Sequence, residues 1–305
     1  MFYMETGRVI KALRKQQGLT QEQLSEGIMD ASNFSRVETG KFVPSKIHLN
    51  IIMERLGYSA DTFVSNFLNT DEVRWLEHKD QAITAIVDCD ISKAKEHISV
   101  MENNPIAKTV IGKQFLEYTE LCIQREEECH AVSRKQTIIG ALKITVPKFA
   151  EERISEYFLS RTEIFLVNQL SLHYLNNGDK SRGIITLKNL ANGIRDHYID
   201  EQEKAALLSV VLYNLSKYLG QCGFYQEAVE VCDEGIKLCV DSNKLNYLPG
   251  LIFNKAYCLN LIDSLIDCKS LVYQAYYGCV MSRKFDEAKL YKEYAEEKMG
   301  ISIDA

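Results

Sequence analysis

Apolar residues in this chain recur every three to four positions, the spacing of one face of an α-helix. From Arg8 to Gln17, Val9, Ile10, Ala12 and Leu13 share a face opposite basic residues, and Gly18 ends that helix. Thr20 followed by Gln23 is the capping-box pattern for a second helix with Leu24 and Ile28 inward. A third helix starts near Asp30 and ends at Gly40, with Phe34 and Val37 facing the core. Pro44 and Ser45 open a fourth, carrying Ile47, Leu49, Ile51, Ile52 and Leu56. Gly57 closes it, and Asp61 to Leu68 makes a fifth. Five short helices with a tight turn between the second and third predict a helix-turn-helix domain over residues 1–69.

Beyond Leu68 the helical pattern continues to the end, and it repeats. Residues 170–190, LSLHYLNNGDKSRGIITLKNL, align with residues 215–235, LSKYLGQCGFYQEAVEVCDEG. Leu170 pairs with Leu215, Ser171 with Ser216, Gly178 with Gly223 and Gly183 with Ala228. A looser copy covers 254–275, and Asp88 to Met101 is read as half of an earlier, degenerate unit. Each unit is a helix, a short turn and a second helix, with Gly183, Ala228 and Cys268 where the pair must approach closely. Such pairs cannot bury their apolar faces alone and stack into a solenoid. The expected fold is all-α: a five-helix head, then a right-handed superhelix of helix pairs over 70–305, ending in a polar capping helix at 284–299.

Charge separates the two parts. The chain of 305 residues carries a net charge of −6. Residues 1–69 hold eight Lys/Arg against seven Asp/Glu, a net +1, which leaves −7 for the remainder. Any contact with a polyanion is thereby confined to the head. Only four prolines interrupt the helices. No window approaches the ~18 apolar residues of a membrane span, and the first residues lack the apolar run of a secretory signal. A cytoplasmic protein is expected.

Catalytic and metal chemistry find little support. Nine cysteines include no Cys-x-x-Cys pair and sit mostly within helical apolar patterns, where they read as small hydrophobes. The six histidines are scattered, and no P-loop, His-Glu-x-x-His or Gly-x-Ser-x-Gly occurs. The expectation is no enzyme, no cofactor and no metal.

The run Gly18 to Pro44 resembles the lambda-repressor-like helix-turn-helix, with Gly18-Leu19-Thr20-Gln21 at its start and Ser35-Arg36-Val37-Glu38-Thr39-Gly40 at its end. The resemblance implies a structural ion pair between Arg14 and Glu38. It also implies a phosphate contact at Gln21. The third helix is then the recognition helix, and by position Ser32, Asn33 and Arg36 meet base edges, while Lys41 in the following loop meets phosphate. Leu215, Gly223, Tyr225 and Ala228 stand at the spacing of a tetratricopeptide repeat. Head and repeats together are similar to the peptide-pheromone-sensing regulators of the PlcR type. That similarity implies a homodimer on a palindromic site in double-stranded DNA, controlled by a short signalling peptide in the concave face of the repeats. Asparagines recurring in the repeat frame, Asn168, Asn214 and Asn254, offer donor and acceptor to a peptide backbone, with Lys217 and Tyr257 as neighbours. The competing expectation is a repressor of phage or toxin–antitoxin type whose repeats bind a protein partner.

Overall fold

Thr20, Asp30 and Ser45 begin the helices of the head by accepting backbone N–H groups that have no intrahelical partner. In the computed structural model, which describes residues 2–58, 70–87, 90–124, 131–262 and 268–303, every regular element among the described residues is helical. The head comprises α1 (Phe2–Gln16), α2 (Gln21–Ser25), α3 (Ala31–Glu38) and α4 (Lys46–Arg55). Thr20 accepts from Gln23 N while Gln23 Oε1 accepts from Thr20 N, completing a capping box. Asp30 caps α3 by accepting from Asn33 N, and Ser45 caps α4 by accepting from His48 N. Ile10, Leu24, Phe34, Ile52 and Leu56 are essentially inaccessible and form the core on which these helices converge. Gly7 lets α1 approach α3 closely, since a Cβ there would lie 2.2 Å from Val37 O. The fifth helix expected at Asp61–Leu68 lies outside the described residues.

The chain divides into two compact units, Met1–His173 with Asp196–Asp200, and Tyr174–Arg195 with Glu201–Ala305. Besides the head, the first unit holds α5 (Thr70–Val87), α6 (Ile91–Glu102), α7 (Val110–Ile123), α8 (Ala131–Thr145) and most of α9 (Arg161–Asn176). There α5 packs on α6 and α7 on α8. Trp75, almost wholly buried, meets Phe115 edge to face at 6.2 Å.

The second unit is built from the end of α9, most of α10 (Lys180–His197), and α11 (Glu201–Gln221), α12 (Tyr225–Ser242), α13 (Leu248–Ile262), α14 (Lys269–Met281) and α15 (Phe285–Met299). From α11 onward each helix packs on the next, and α11 also touches α13. Gly178 and Gly223, matched by the sequence repeat, adopt the same left-handed conformation at φ 88° and 85°. A residue with a Cβ is disfavoured there, so the turn explains why glycine recurs. Gly235 admits the Leu251 side chain at 2.9 Å from where its Cβ would be. Val272, Ala275, Cys279, Ala288 and Ala295 bury the last helices against one another, with Phe253 stacked on Tyr291 at 4.2 Å.

Candidate nucleic-acid interface

Recognition by a helix requires that the helix be held rigidly while its outer face stays free. Arg14 on α1 supplies the hold. Its Nε donates to Glu38 Oε1 at 2.5 Å and its Nη2 to Glu38 Oε2 at 2.9 Å, a bidentate pair, while Nη1 donates to Leu19 O at 2.7 Å. Both residues are buried. Burial pushes the Glu38 carboxyl upward, but hydrogen bonds from Arg14 and Gln21 outweigh it and leave the group below the ordinary glutamate value. The pair ties the end of α3 to α1 and to the start of α2.

Against that base, the five expected DNA residues fall into two groups. Ser32 and Arg36, one turn apart on α3, are exposed, and Lys41 is exposed in the loop that follows. Gln21 and Asn33 are engaged within the head. Gln21 donates its Nε2 to Glu38 Oε2 at 2.7 Å. Asn33 folds back onto the cap of its own helix, its Nδ2 donating to Asp30 Oδ2 at 2.7 Å. The loop after α3 is also tied down: Lys41 N and Phe42 N both donate to Arg36 O, at 2.8 and 3.1 Å.

A residue that no sequence motif singled out anchors the head to the rest of the first unit. Arg55 is buried at the end of α4 and donates to Leu24 O, Glu26 O and Thr145 O, and to Glu163 Oε1 at 2.9 Å. Glu163 also accepts from Thr145 Oγ1 and Ser160 N. Burial raises this carboxyl, yet the Arg55 charge and the bonds from Thr145 and Ser160 leave it below its ordinary value. Beside the pair, Glu54 Oε2 accepts from Arg161 N, and Gly57 O accepts from Ile199 N and Asp200 N. Nothing in the local pattern joins Arg55 to a carboxylate 108 positions away; only the fold does.

The expected peptide-binding residues are distributed between the units. Asn168 is buried on α9 in the first unit. On α11 and α13 of the second lie Asn214 and Asn254, both half-buried, with exposed Lys217 and half-buried Tyr257. Asn254 donates its Nδ2 to Tyr213 O at 3.3 Å and to Ser216 Oγ at 3.0 Å, so it links α13 to α11. Tyr257 meets Tyr294 edge to face at 5.4 Å. Burial pushes its phenol up to about 12. Among the described residues no group of three His, Cys, Asp or Glu is placed to hold a metal ion, and no helix is long and apolar enough to cross a membrane.

Two family comparisons match this architecture. A helix-turn-helix family matches residues 10–63. The RNPP family C-terminal domain matches residues 135–296, more than half of the chain. The chain belongs to the RNPP family. Both families are transcription-regulator families rather than enzyme families, and the protein is a DNA-binding regulator. No curated protein matches it. Among solved structures it is similar to Bacillus thuringiensis PlcR in complex with the peptide PapR7 and DNA. That likeness has a TM-score of 0.60 at 20% identity and covers 97% of this chain and 100% of that one. It is also similar to the competence regulator ComR from Streptococcus vestibularis in complex with its cognate signalling peptide XIP, with a TM-score of 0.54 at 15% identity, covering 98% and 100%. At these identities the likeness concerns the fold.

Proposed function

We propose that this RNPP regulator is a cytoplasmic homodimer that grips a palindromic operator with its heads and is switched by a short signalling peptide. The exposed pair Ser32 and Arg36 on a helix locked by Arg14 and Glu38 carries the DNA half of this reading. Arg36 suits the O6 and N7 acceptors of guanine, Ser32 a base edge or phosphate, and Lys41 a phosphate. In this reading residues 1–69 bind DNA, residues 70–305 bind peptide and dimerise, and 284–299 cap the array. With their side chains engaged by Glu38 and Asp30, Gln21 and Asn33 contribute to DNA by rearranging.

For the peptide half, the support is that PlcR and ComR, which share the fold, were crystallised with peptides. Contacting helices α11 and α13 each present an asparagine together with Lys217 or Tyr257. Because the Asn254 NH2 group already serves α11, its oxygen is the atom it offers to a peptide N–H. Peptide can act on DNA affinity only by binding one arrangement of the protein better than another. In a dimer the heads must meet half-sites one helical turn apart, about 34–36 Å or a multiple of it, so a modest change in the repeats alters the fit.

The test uses the full chain and a duplex selected by it from a random pool. Fluorescence anisotropy measures duplex affinity with and without pools of short apolar peptides. A peptide-dependent change in affinity that Asn214→Ala weakens is expected. An affinity indifferent to every peptide would remove the switch and leave a constitutive operator-binding protein.

A further inference from the structure

Phe42 lies just beyond the recognition helix, yet it belongs neither to the core of the head nor to any expected site. We propose that Phe42 is a positioning residue for DNA reading: its ring holds the Arg36 guanidinium in the pose that meets guanine. This rests on the DNA-binding reading of α3 and adds to it a residue of the loop that follows the recognition helix.

Three observations combine. First, Gly40, at φ 69°, turns the chain after α3, and the two N–H groups of Lys41 and Phe42 close onto Arg36 O. The backbone of Phe42 is thereby fixed to the residue whose side chain it faces. Second, the Arg36 Cζ lies 5.9 Å from the centre of the Phe42 ring, within the range of a cation–π contact. Third, Phe42 is 38% exposed and its neighbour Val43 is 45% exposed, whereas Phe34 and Ile10 fill the core without them.

A guanidinium resting on a ring keeps its N–H edge available while losing freedom about its long side chain. The ordering cost that a free arginine meets on binding is then partly met beforehand. Bidentate donation to guanine O6 and N7 needs that edge and that planarity. Phe42 therefore acts on selectivity at one base, and it does so through Arg36.

The experiment compares duplexes carrying guanine or 7-deazaguanine, which lacks the N7 acceptor, at the position where Arg36→Ala loses discrimination. Full-length wild type, Phe42→Ala, Phe42→Tyr, Phe42→Leu and Arg36→Ala are titrated at one fixed salt concentration, after circular dichroism has established equal helicity. The wild type should bind the 7-deazaguanine duplex more weakly. In Phe42→Ala that penalty should shrink about two- to fivefold, the size of an exposed cation–π contact. Phe42→Tyr should restore it and Phe42→Leu should not. A merely structural role would weaken both duplexes equally, so a full penalty retained in Phe42→Ala overturns the proposal. If Arg36→Ala itself keeps the penalty, the assignment of Arg36 to guanine fails, and with it the reason for positioning it.

Discussion

Replacing Glu163 by Gln tests whether Arg55 and Glu163 truly fasten the head to its neighbours. The substitution preserves size and removes only the charge and one acceptor. In the native protein Arg55 Nη2 lies 2.9 Å from Glu163 Oε1, with both side chains nearly inaccessible. Removing one partner of such a buried pair costs about 3–5 kcal/mol, because the other charge is left uncompensated. The lower end applies here. Arg55 retains three backbone carbonyls, of Leu24, Glu26 and Thr145, which partly solvate its charge. An amide nitrogen facing Ser160 N adds a donor–donor clash where Glu163 Oε2 now accepts at 2.6 Å. A loss of about 3 kcal/mol is therefore expected in urea unfolding at neutral pH. Arg55→Met should cost a similar amount, and the double variant clearly less than the two together, since the orphaned charge is gone. The pH dependence has a definite sign. The Glu163 carboxyl is held below its ordinary value of 4.5, so its contribution is present above that value and is lost as pH falls through the depressed one. The gap between wild type and Glu163→Gln should accordingly close in acid. Two results would refute this reasoning: a Glu163→Gln protein as stable as wild type at neutral pH, or strictly additive single variants.

Two further outcomes follow from backbone geometry and from burial. Gly57→Ala should destabilise by at least about 2 kcal/mol, because the residue sits at φ 76° and a Cβ would lie 2.3 Å from His197 O; Gly178→Ala, at φ 88° with open space around it, should cost only about 1 kcal/mol in the same urea assay. Burial pushes the thiols of Cys122, Cys239 and Cys258 up to about 11 and those of Cys232 and Cys279 up to about 12, so a thiol-specific disulfide reagent at neutral pH should leave all five unmodified in the native protein and reach them in denaturant.

The helices themselves were readable in the chain because their signals are local. Thr20, Asp30 and Ser45 cap where their side chains can reach the next turn, and Gly178 and Gly223 mark turns that only a residue without a Cβ adopts easily. The Arg14–Glu38 pair was accessible too, though through resemblance to a motif rather than through spacing. Spacing along a helix decides which face a residue occupies, and it placed Ser32 and Arg36 outward together.

Only the tertiary structure could decide what each polar side chain does once it is there. Asn33 and Gln21 carry the right groups for DNA, yet a nearby carboxylate engages each of them, Asp30 at the exposed start of α3 and Glu38 in its buried pair with Arg14. Asn254 is turned toward α11 by the crossing of two helices. The partners of Arg55 come from three other places in the chain, and Phe42 meets Arg36 because a turn folds the loop back. Composition and period determine elements, since those depend on residues a few positions apart. Pairing across long separations depends on how the elements pack, and no local pattern encodes it.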